Sequence, residues 1–250
     1  MFNILFHNVT NEQKNTAIET IIAHASPRPD FFLMMMLAIA MAAMGVLANS
    51  VVILIGSMLI APMLYPLLSL ALGIVLADGS LMGRSFYTLV KATALALAAA
   101  LVIGLFFTRV DLGAISIVTS SAPTLAFAIV AGIAGFAAAF AMTKPNLNEM
   151  LPGVAISVSL VPPLAVAGIG LAHFNWSIFA DAFLLFLTNV VGVVLFAMVV
   201  FSLFRFAMKR HIADAAVRKD EQDMKHEAAT ALGVAKKTEH VIPPQFSGRA

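Results

Sequence analysis

Long apolar runs separated by short polar gaps dominate the middle of this chain. Each run is near the ~20 residues that an α-helix needs to cross a bilayer. Six segments can be drawn, approximately Phe31–Ala48, Val51–Ala77, Phe86–Phe107, Ala122–Met142, Leu151–Ala172 and Ala180–Phe204. The Asn49-Ser50 gap is so short that the first two segments must form a hairpin. The pattern predicts an all-α polytopic membrane protein with about six transmembrane segments over residues 31–204.

Proline interrupts two of these segments, at positions one hundred residues apart. The first break reads Ser57-Met58-Leu59-Ile60-Ala61-Pro62-Met63-Leu64-Tyr65-Pro66, and the second reads Ser157-Val158-Ser159-Leu160-Val161-Pro162-Pro163-Leu164. Proline lacks an amide hydrogen and clashes with the preceding turn, which costs ~3 kcal/mol inside a helix. In hydrocarbon that loss is tolerated mainly where protein or water satisfies the freed carbonyls. Matched broken helices in two halves of a membrane protein indicate a transport site near the bilayer midplane.

Lysine and arginine are distributed unevenly over the gaps between the segments. With the N-terminus in the cytoplasm, the inner gaps hold Arg84 and Lys144, whereas the outer loops hold only Arg109. The positive-inside rule then predicts that both termini are cytoplasmic. Three crossings per half turn the second half upside down, so residues 31–108 and 122–204 are predicted to be inverted repeats, each with a proline-broken helix. The alternative is two independent proline kinks in an ordinary helical bundle.

The two ends of the chain are polar. Residues 1–30 are expected to be a cytoplasmic segment without a signal peptide, and residues 10–25 are expected to form a short amphipathic helix. The apolar side of that helix carries Ile18, Ile21 and Ile22. Residues 205–250 are expected to form a cytoplasmic charged helix over Arg205–Thr238, followed by a disordered tail.

Composition narrows the classes of function. Hydrophobic residues make up 61% of the chain and charged residues 11%, against the ~25% charged residues of a soluble domain. The absence of cysteine excludes disulfides and thiolate metal sites. A net charge of +2 is too small to suggest nucleic acid, so the expected partners are membrane lipids and an unknown small solute or ion. The pattern is also compatible with a homo-oligomer.

No catalytic or metal-binding constellation is visible within the apolar segments. The acidic residues Asp78, Glu149 and Asp181 lie at predicted segment ends, and so does His173. An intramembrane hydrolase needs paired acids or a metal cluster at depth. We therefore expect no enzyme activity, no metal and no cofactor. A proton relay is disfavoured for the same reason, although a re-entrant segment could carry one acid inward.

Polar side chains at mid-depth are costly in a membrane and supply the candidate site residues. Asn189, next to Thr188 in the sixth segment, is predicted to face the space between segments two, five and six, near the broken backbone. It either lines a pathway or joins helices, the latter worth about 0.6 to 2 kcal/mol. Ser157 and Ser159 either bond a freed carbonyl or contact a ligand, and Tyr65 needs a cavity or a polar neighbour. The pathway or ligand-binding candidates are Asn49, Ser57, Pro62, Tyr65, Pro66, Ser157, Ser159, Pro162, Pro163, Thr188 and Asn189.

Three stretches together resemble a family of prokaryotic membrane proteins. They are ANSVVILIGSMLIAPM at Ala48–Met63, GVAISVSLVPPLAVAG at Gly153–Gly168 and FLTNVVG at Phe186–Gly192. They are similar to the family catalogued as domain of unknown function 389. The resemblance covers about residues 31–204 and implies a compact six-crossing protein of the prokaryotic cytoplasmic (inner) membrane. It implies no activity, ligand or catalytic residue.

Three functions are compatible with these features of the sequence. The first is a membrane transporter or channel for a small solute or ion, with its site between the broken helices near the midplane. Because few charged residues lie within the segments, the expected solute is neutral, zwitterionic or weakly polar, or is an ion that passes along carbonyl groups. The alternative is a non-transporting membrane scaffold or sensor that signals through the C-terminal helix. A lipid-processing enzyme is the third and has least support, because no acid–base pair lies at depth.

Overall fold

The structure, a computed structural model, describes residues 10–107, 125–144, 147, 159–204 and 210–239. All regular elements within these ranges are helices, which agrees with the predicted all-α class. The nine helices are α1 (Asn11–His24), α2 (Pro29–Leu47), α3 (Val51–Ile60), α4 (Leu64–Leu76), α5 (Gly79–Phe106), α6 (Leu125–Thr143), α7 (Val161–Ala172), α8 (Trp176–Leu203) and α9 (Arg210–Glu239).

Several of these helices have the length and composition of membrane spans. α2, α5, α6 and α8 each qualify alone, and α3 with α4 qualifies as a pair bent by 52°. The described residues therefore hold four such helices, or up to five spans if the bent pair is one. α7 is apolar but only 12 residues long. The preceding part of the predicted fifth segment, residues 151–158, lies outside the described residues.

The first proline break is present where the sequence predicts it. α3 ends at Ile60, and Ala61 has an extended backbone with ψ 121°. A proline ring disfavours the helical region for the residue before it, which favours this extended conformation of Ala61 before Pro62. Pro66 lies in the first turn of α4, where a missing amide hydrogen costs no helical bond. The prolines thus end one helix and begin the next.

Two corners of similar construction follow α4 and α7. A residue with a left-handed backbone closes each helix, Ala77 with φ 51° and Phe174 with φ 53°. The next amide then donates to a glycine carbonyl, Gly73 at 3.0 Å and Gly170 at 2.9 Å, as in a Schellman motif. A Cβ on either glycine would lie 3.0 Å from a backbone nitrogen of the following helix. Both corners need glycine because the next helix begins so close.

The helix after each corner begins with a side-chain cap. Asp78 Oδ1 accepts from the amide of Leu81 at 3.2 Å, and Asn175 Oδ1 accepts from the amide of Ile178 at 3.1 Å. Such caps satisfy amides that have no partner within the helix. Because of these polar caps, α5 and α8 begin earlier than the apolar runs used to predict the third and sixth segments.

Helix bounds in the two halves recur at a nearly constant spacing. α5 and α8 are both 28 residues long and start and end 97 residues apart. α4 and α7 also start 97 residues apart, and α2 and α6, both 19 residues long, are 96 apart. Burial recurs at the same spacing along α5 and α8. The buried pairs are Ser85 and Ala182, Thr88 and Leu185, Leu89 and Phe186, Ala92 and Asn189, Ala96 and Val193, Ala100 and Ala197, and Gly104 and Phe201.

This spacing changes the alignment of the two proline breaks. At 97 residues, Pro66 pairs with Pro163, and Pro62 pairs with Ser159. The sequence prediction paired Pro62 with Pro162, from the identity of the letters. Helix bounds align the backbone instead, and they place Pro66 and Pro163 at the same position, in the first turn of α4 and of α7.

The core mixes helices of the two halves. α7 packs against α5, α8 and α2, while α8 packs against α6 and α4. The N-terminal helix α1 packs on α9, α4 and α6. Its predicted apolar side is confirmed, because Ile18, Ile21 and Ile22 are all buried. α9 packs on α1 and also contacts α5. It lies within the stretch that the sequence predicts as a charged helix.

Candidate functional site

Asn189 lies in the middle of α8 and is 4% exposed. Its Nδ2 donates a hydrogen bond to the carbonyl oxygen of Ser159 at 3.1 Å. Ser159 has a left-handed backbone with φ 47° and lies two residues before α7 begins. A buried carbonyl without a partner costs about 1–3 kcal/mol. Asn189 therefore contacts the backbone that leads into α7, where the sequence predicts the second break, and this hydrogen bond stabilises the start of α7.

Pro162 and Pro163 occupy the first turn of α7 and are both buried. Proline fits there because the first amides of a helix have no intrahelical acceptor. The N-cap residue Leu160 makes no side-chain capping bond. The start of α7 is thus a buried helix terminus with two fewer amide donors than usual.

At the first break, the hydroxyl of Ser57 is fully buried and donates to the carbonyl of Leu54 at 2.6 Å. Its hydrogen is therefore engaged within α3, while the oxygen keeps its acceptor capacity. Pro62 follows α3 and offers no amide hydrogen to the last carbonyls of that helix. This break therefore presents backbone acceptors rather than donors.

Tyr65 stands in the first turn of α4, and its ring is stacked on the imidazole of His24. The ring centroids are 4.7 Å apart with an interplanar angle of 24°. The imidazole covers the ring face of Tyr65, whereas the predicted cavity or polar neighbour concerns its hydroxyl and stays a prediction. α1 therefore reaches the broken helix, which no local pattern indicated.

Asn49 and Thr188 lie away from the breaks. Asn49 is exposed and has a left-handed φ of 50° in the α2–α3 hairpin, which confirms the predicted tight turn. Thr188 is half-buried and donates to the carbonyl of Leu184 at 2.8 Å. It lines an apolar surface groove of about 540 Å³ between α6 and α8. The remaining candidate, Ser157, lies outside the described residues.

Sequence reasoning missed two buried polar features on α5. Ser85 Oγ donates to Ser69 Oγ at 2.8 Å between α5 and α4, and both residues are buried. Asp78 is 2% exposed and caps α5. An aspartate directly before a helical run is a helix-start signal, so the cap could have been found. Nothing in the sequence pairs Ser69 with Ser85, because that contact is tertiary.

A polar cluster joins the two ends of the chain to α5. Asp220 of α9 is buried and accepts from Arg28 at 3.1 Å and from Arg84. Ser26, also buried, donates to Asp220 and accepts from Arg84 at 2.6 Å. The sequence showed a run of mixed charge in α9, and no periodicity marked Asp220 as its buried member.

These positions can be set against known sequences. The family model described as Domain of unknown function (DUF389) matches residues 58–195, more than half of the chain. The chain belongs to the DUF389 family. The matched region runs from the last turn of α3 into α8, so it holds the prolines of both predicted breaks and Asn189.

One relative of this DUF389 protein is an uncharacterized protein of Methanocaldococcus jannaschii. The two are 33% identical over 191 residues, which are 75% of this chain and 58% of the relative. The chain therefore spans less than two thirds of that relative's length. No solved structure matches the chain.

Proposed function

We propose that this DUF389 protein is a membrane transporter or channel for a small solute or ion, with its site between the two broken helices near the bilayer midplane. The contact between Asn189 and Ser159 carries the proposal. A polar side chain at the centre of an apolar helix is costly and marks a functional site by default. Here it is directed at the backbone of a broken segment, the feature that forms binding sites in many transporters.

Two inverted repeats with six crossings are the architecture that we infer around this site. The common spacing of helix ends and of buried positions supports a repeat of two halves. In this repeat α2 corresponds to α6, the bent pair α3–α4 corresponds to the segment that ends in α7, and α5 corresponds to α8. Three crossings in each half would invert the second half. With Arg84 and Lys144 on the inner side, both termini would be cytoplasmic in a prokaryotic inner membrane.

The chemistry of the breaks favours a cation or a neutral solute that donates hydrogen bonds. Free amides at a helix start would attract an anion, but Pro66, Pro162 and Pro163 remove amides from the first turns of α4 and α7. The hydroxyl hydrogen of Ser57 and one amide hydrogen of Asn189 are already bonded to carbonyls. Backbone carbonyls are then the groups available to a solute, as in cation-selective filters.

A sensor or scaffold is the second candidate, favoured by the buried contact of Asp220 with Arg84. That contact connects the C-terminal helix α9 directly to the membrane helix α5. Movement of α5 could reach the end of the chain through it. In this case α9 would be the output and the broken helices would carry no flux.

Flux through reconstituted vesicles tests the proposal. Purified protein in phospholipid vesicles would be compared with empty vesicles for uptake of a monovalent cation, a neutral amide such as urea, and an inorganic anion. The proposal expects cation or amide flux above the empty-vesicle rate and little anion flux. Anion flux alone would overturn the assigned solute class, and no flux of any class would favour the sensor.

A further inference from the structure

Ser26, Arg28 and Arg84 converge on one buried carboxylate that comes from a distant part of the chain, and Arg28 Nη1 also lies 3.9 Å from the exposed Glu227 Oε1. Arg28 Nη2 donates to Asp220 Oδ1 at 3.1 Å, and Arg84 Nη2 donates to Asp220 Oδ2. The side chain of Asp220 is 7% exposed and that of Arg84 is 12% exposed. Two guanidinium groups and a hydroxyl directed at one anion form the kind of site that binds carboxylate or phosphate groups.

The carboxylate of Asp220 leaves this set of donors incompletely used. Arg28 Nε and Arg84 Nη1 are buried and have no hydrogen-bond partner among the described residues. A buried donor without a partner is unfavourable. A carboxylate has two oxygens for these donors, whereas a terminal phosphate group has three in a tetrahedral arrangement. The donors therefore match a phosphate group better than they match Asp220.

Space and charge beside the cluster define how such a group could enter. A cleft of about 450 Å³ between α1 and α9 is lined by Arg28 and Asp220, with Lys219 at its side. Glu19 and Asp223 line the same cleft and oppose an added negative charge. An incoming anion is thus favoured only when it replaces the carboxylate of Asp220. The net charge of the cluster then stays nearly constant.

We propose that Ser26, Arg28 and Arg84 form a phosphate-binding site which Asp220 of α9 occupies from within the chain. A phosphate group, free or in a lipid headgroup, replaces Asp220 and releases α9 from α5. Arg84 lies in the second turn of α5, near the end where a phospholipid headgroup would meet a membrane helix. This site is independent of the proposed transport, since it uses neither broken helix.

The test follows α9 directly in the full-length protein. The chain has no cysteine, so Ser80→Cys on α5 and Ala228→Cys on α9, both exposed, allow a spin-label distance to be measured. Inorganic phosphate is titrated into protein in phosphatidylcholine nanodiscs in one arm. In the other arm, phosphatidic acid is incorporated into the nanodiscs without added phosphate. A response in the first arm identifies free phosphate, and a response only in the second identifies the lipid headgroup.

The expected result is a longer distance in at least one arm of the wild-type background. Asp220→Asn should lower the concentration needed by about tenfold, equivalent to ~1.4 kcal/mol, and Arg84→Gln should abolish the response. Asp214→Asn, an exposed acid of the same helix, should respond as wild type does. No change of distance in either arm, or an unchanged response in Arg84→Gln, would overturn the proposal. If a variant fails to assemble, the titration of the wild-type background still tests whether phosphate releases α9.

Discussion

Gly73 and Gly170 occupy the same position in two corners that are 97 residues apart. Each glycine carbonyl accepts the amide that closes its helix, and each Cα lies against the start of the next helix. Related local geometry at one spacing supports an internal repeat more strongly than matched prolines do. Prolines are frequent wherever membrane helices are broken, whereas this corner combines a glycine, a left-handed residue and a side-chain cap.

Alanine at either glycine should destabilise the protein by a similar amount. The added Cβ would lie 3.0 Å from the amide nitrogen of Met82 in one corner and of Phe179 in the other. We expect a loss of about 1–3 kcal/mol for Gly73→Ala and for Gly170→Ala, the usual cost of overpacking. Denaturant unfolding in detergent measures it. Gly83→Ala is the control, since its Cβ would meet no atom within 4 Å. Loss in one corner only would argue against equivalent corners.

The caps of α5 and α8 provide a second comparison. Asp78 accepts from the amides of Ser80 and Leu81, and Asn175 performs this role in the other corner. Asp78→Ala should cost about 0.5–2 kcal/mol, because the cap is lost. Asp78→Asn should keep most of the stability, since an asparagine oxygen can accept the same bonds. Thermal unfolding of both variants decides this, and equal losses would show that the carboxylate charge is what matters at this corner.

The helices themselves were largely predictable from the sequence. Runs of apolar residues located α2, α5, α6 and α8, because a bilayer-length helix must be apolar over most of its surface. The positions of the starts of α5 and α8 were missed, because the caps Asp78 and Asn175 are polar and were counted as gaps. The buried side of α1 was found because its isoleucines follow the helical period.

Contacts between distant segments were harder to predict. Asn189 was expected to contact the broken backbone on grounds of depth, and the carbonyl of Ser159 proved to be its partner. By contrast, two other contacts depend on how the terminal helices pack: the stacking of His24 on Tyr65 and the ion pair of Arg84 with Asp220. No periodicity or spacing encodes that docking, so these contacts were not anticipated.

The proposed six crossings imply an orientation of the chain that labelling can check. Asn49 and Trp176 are exposed residues at two corners that the inverted topology places outside the cell. A membrane-impermeant maleimide should therefore label Asn49→Cys and Trp176→Cys in intact cells. Arg218→Cys on α9 should be labelled only after permeabilisation. If Trp176→Cys were labelled only after permeabilisation, as Arg218→Cys should be, the inverted arrangement would be contradicted.

Flux through Asn189→Leu tests the central claim most directly. Leucine keeps roughly the volume of asparagine but cannot donate to the carbonyl of Ser159. Thr188→Val is the matched control, because Thr188 is the neighbour on the same helix and its hydroxyl bonds within α8 rather than to the backbone before α7. Both variants would be reconstituted at equal amounts, and uptake of the solute carried by wild-type protein would be measured. Our account predicts that Thr188→Val transports as wild type does and that Asn189→Leu, although assembled, loses at least about tenfold in rate, equivalent to ~1.4 kcal/mol in barrier height. Undiminished flux in Asn189→Leu, with only its thermal stability lowered, would contradict the account and leave Asn189 as a structural link between helices.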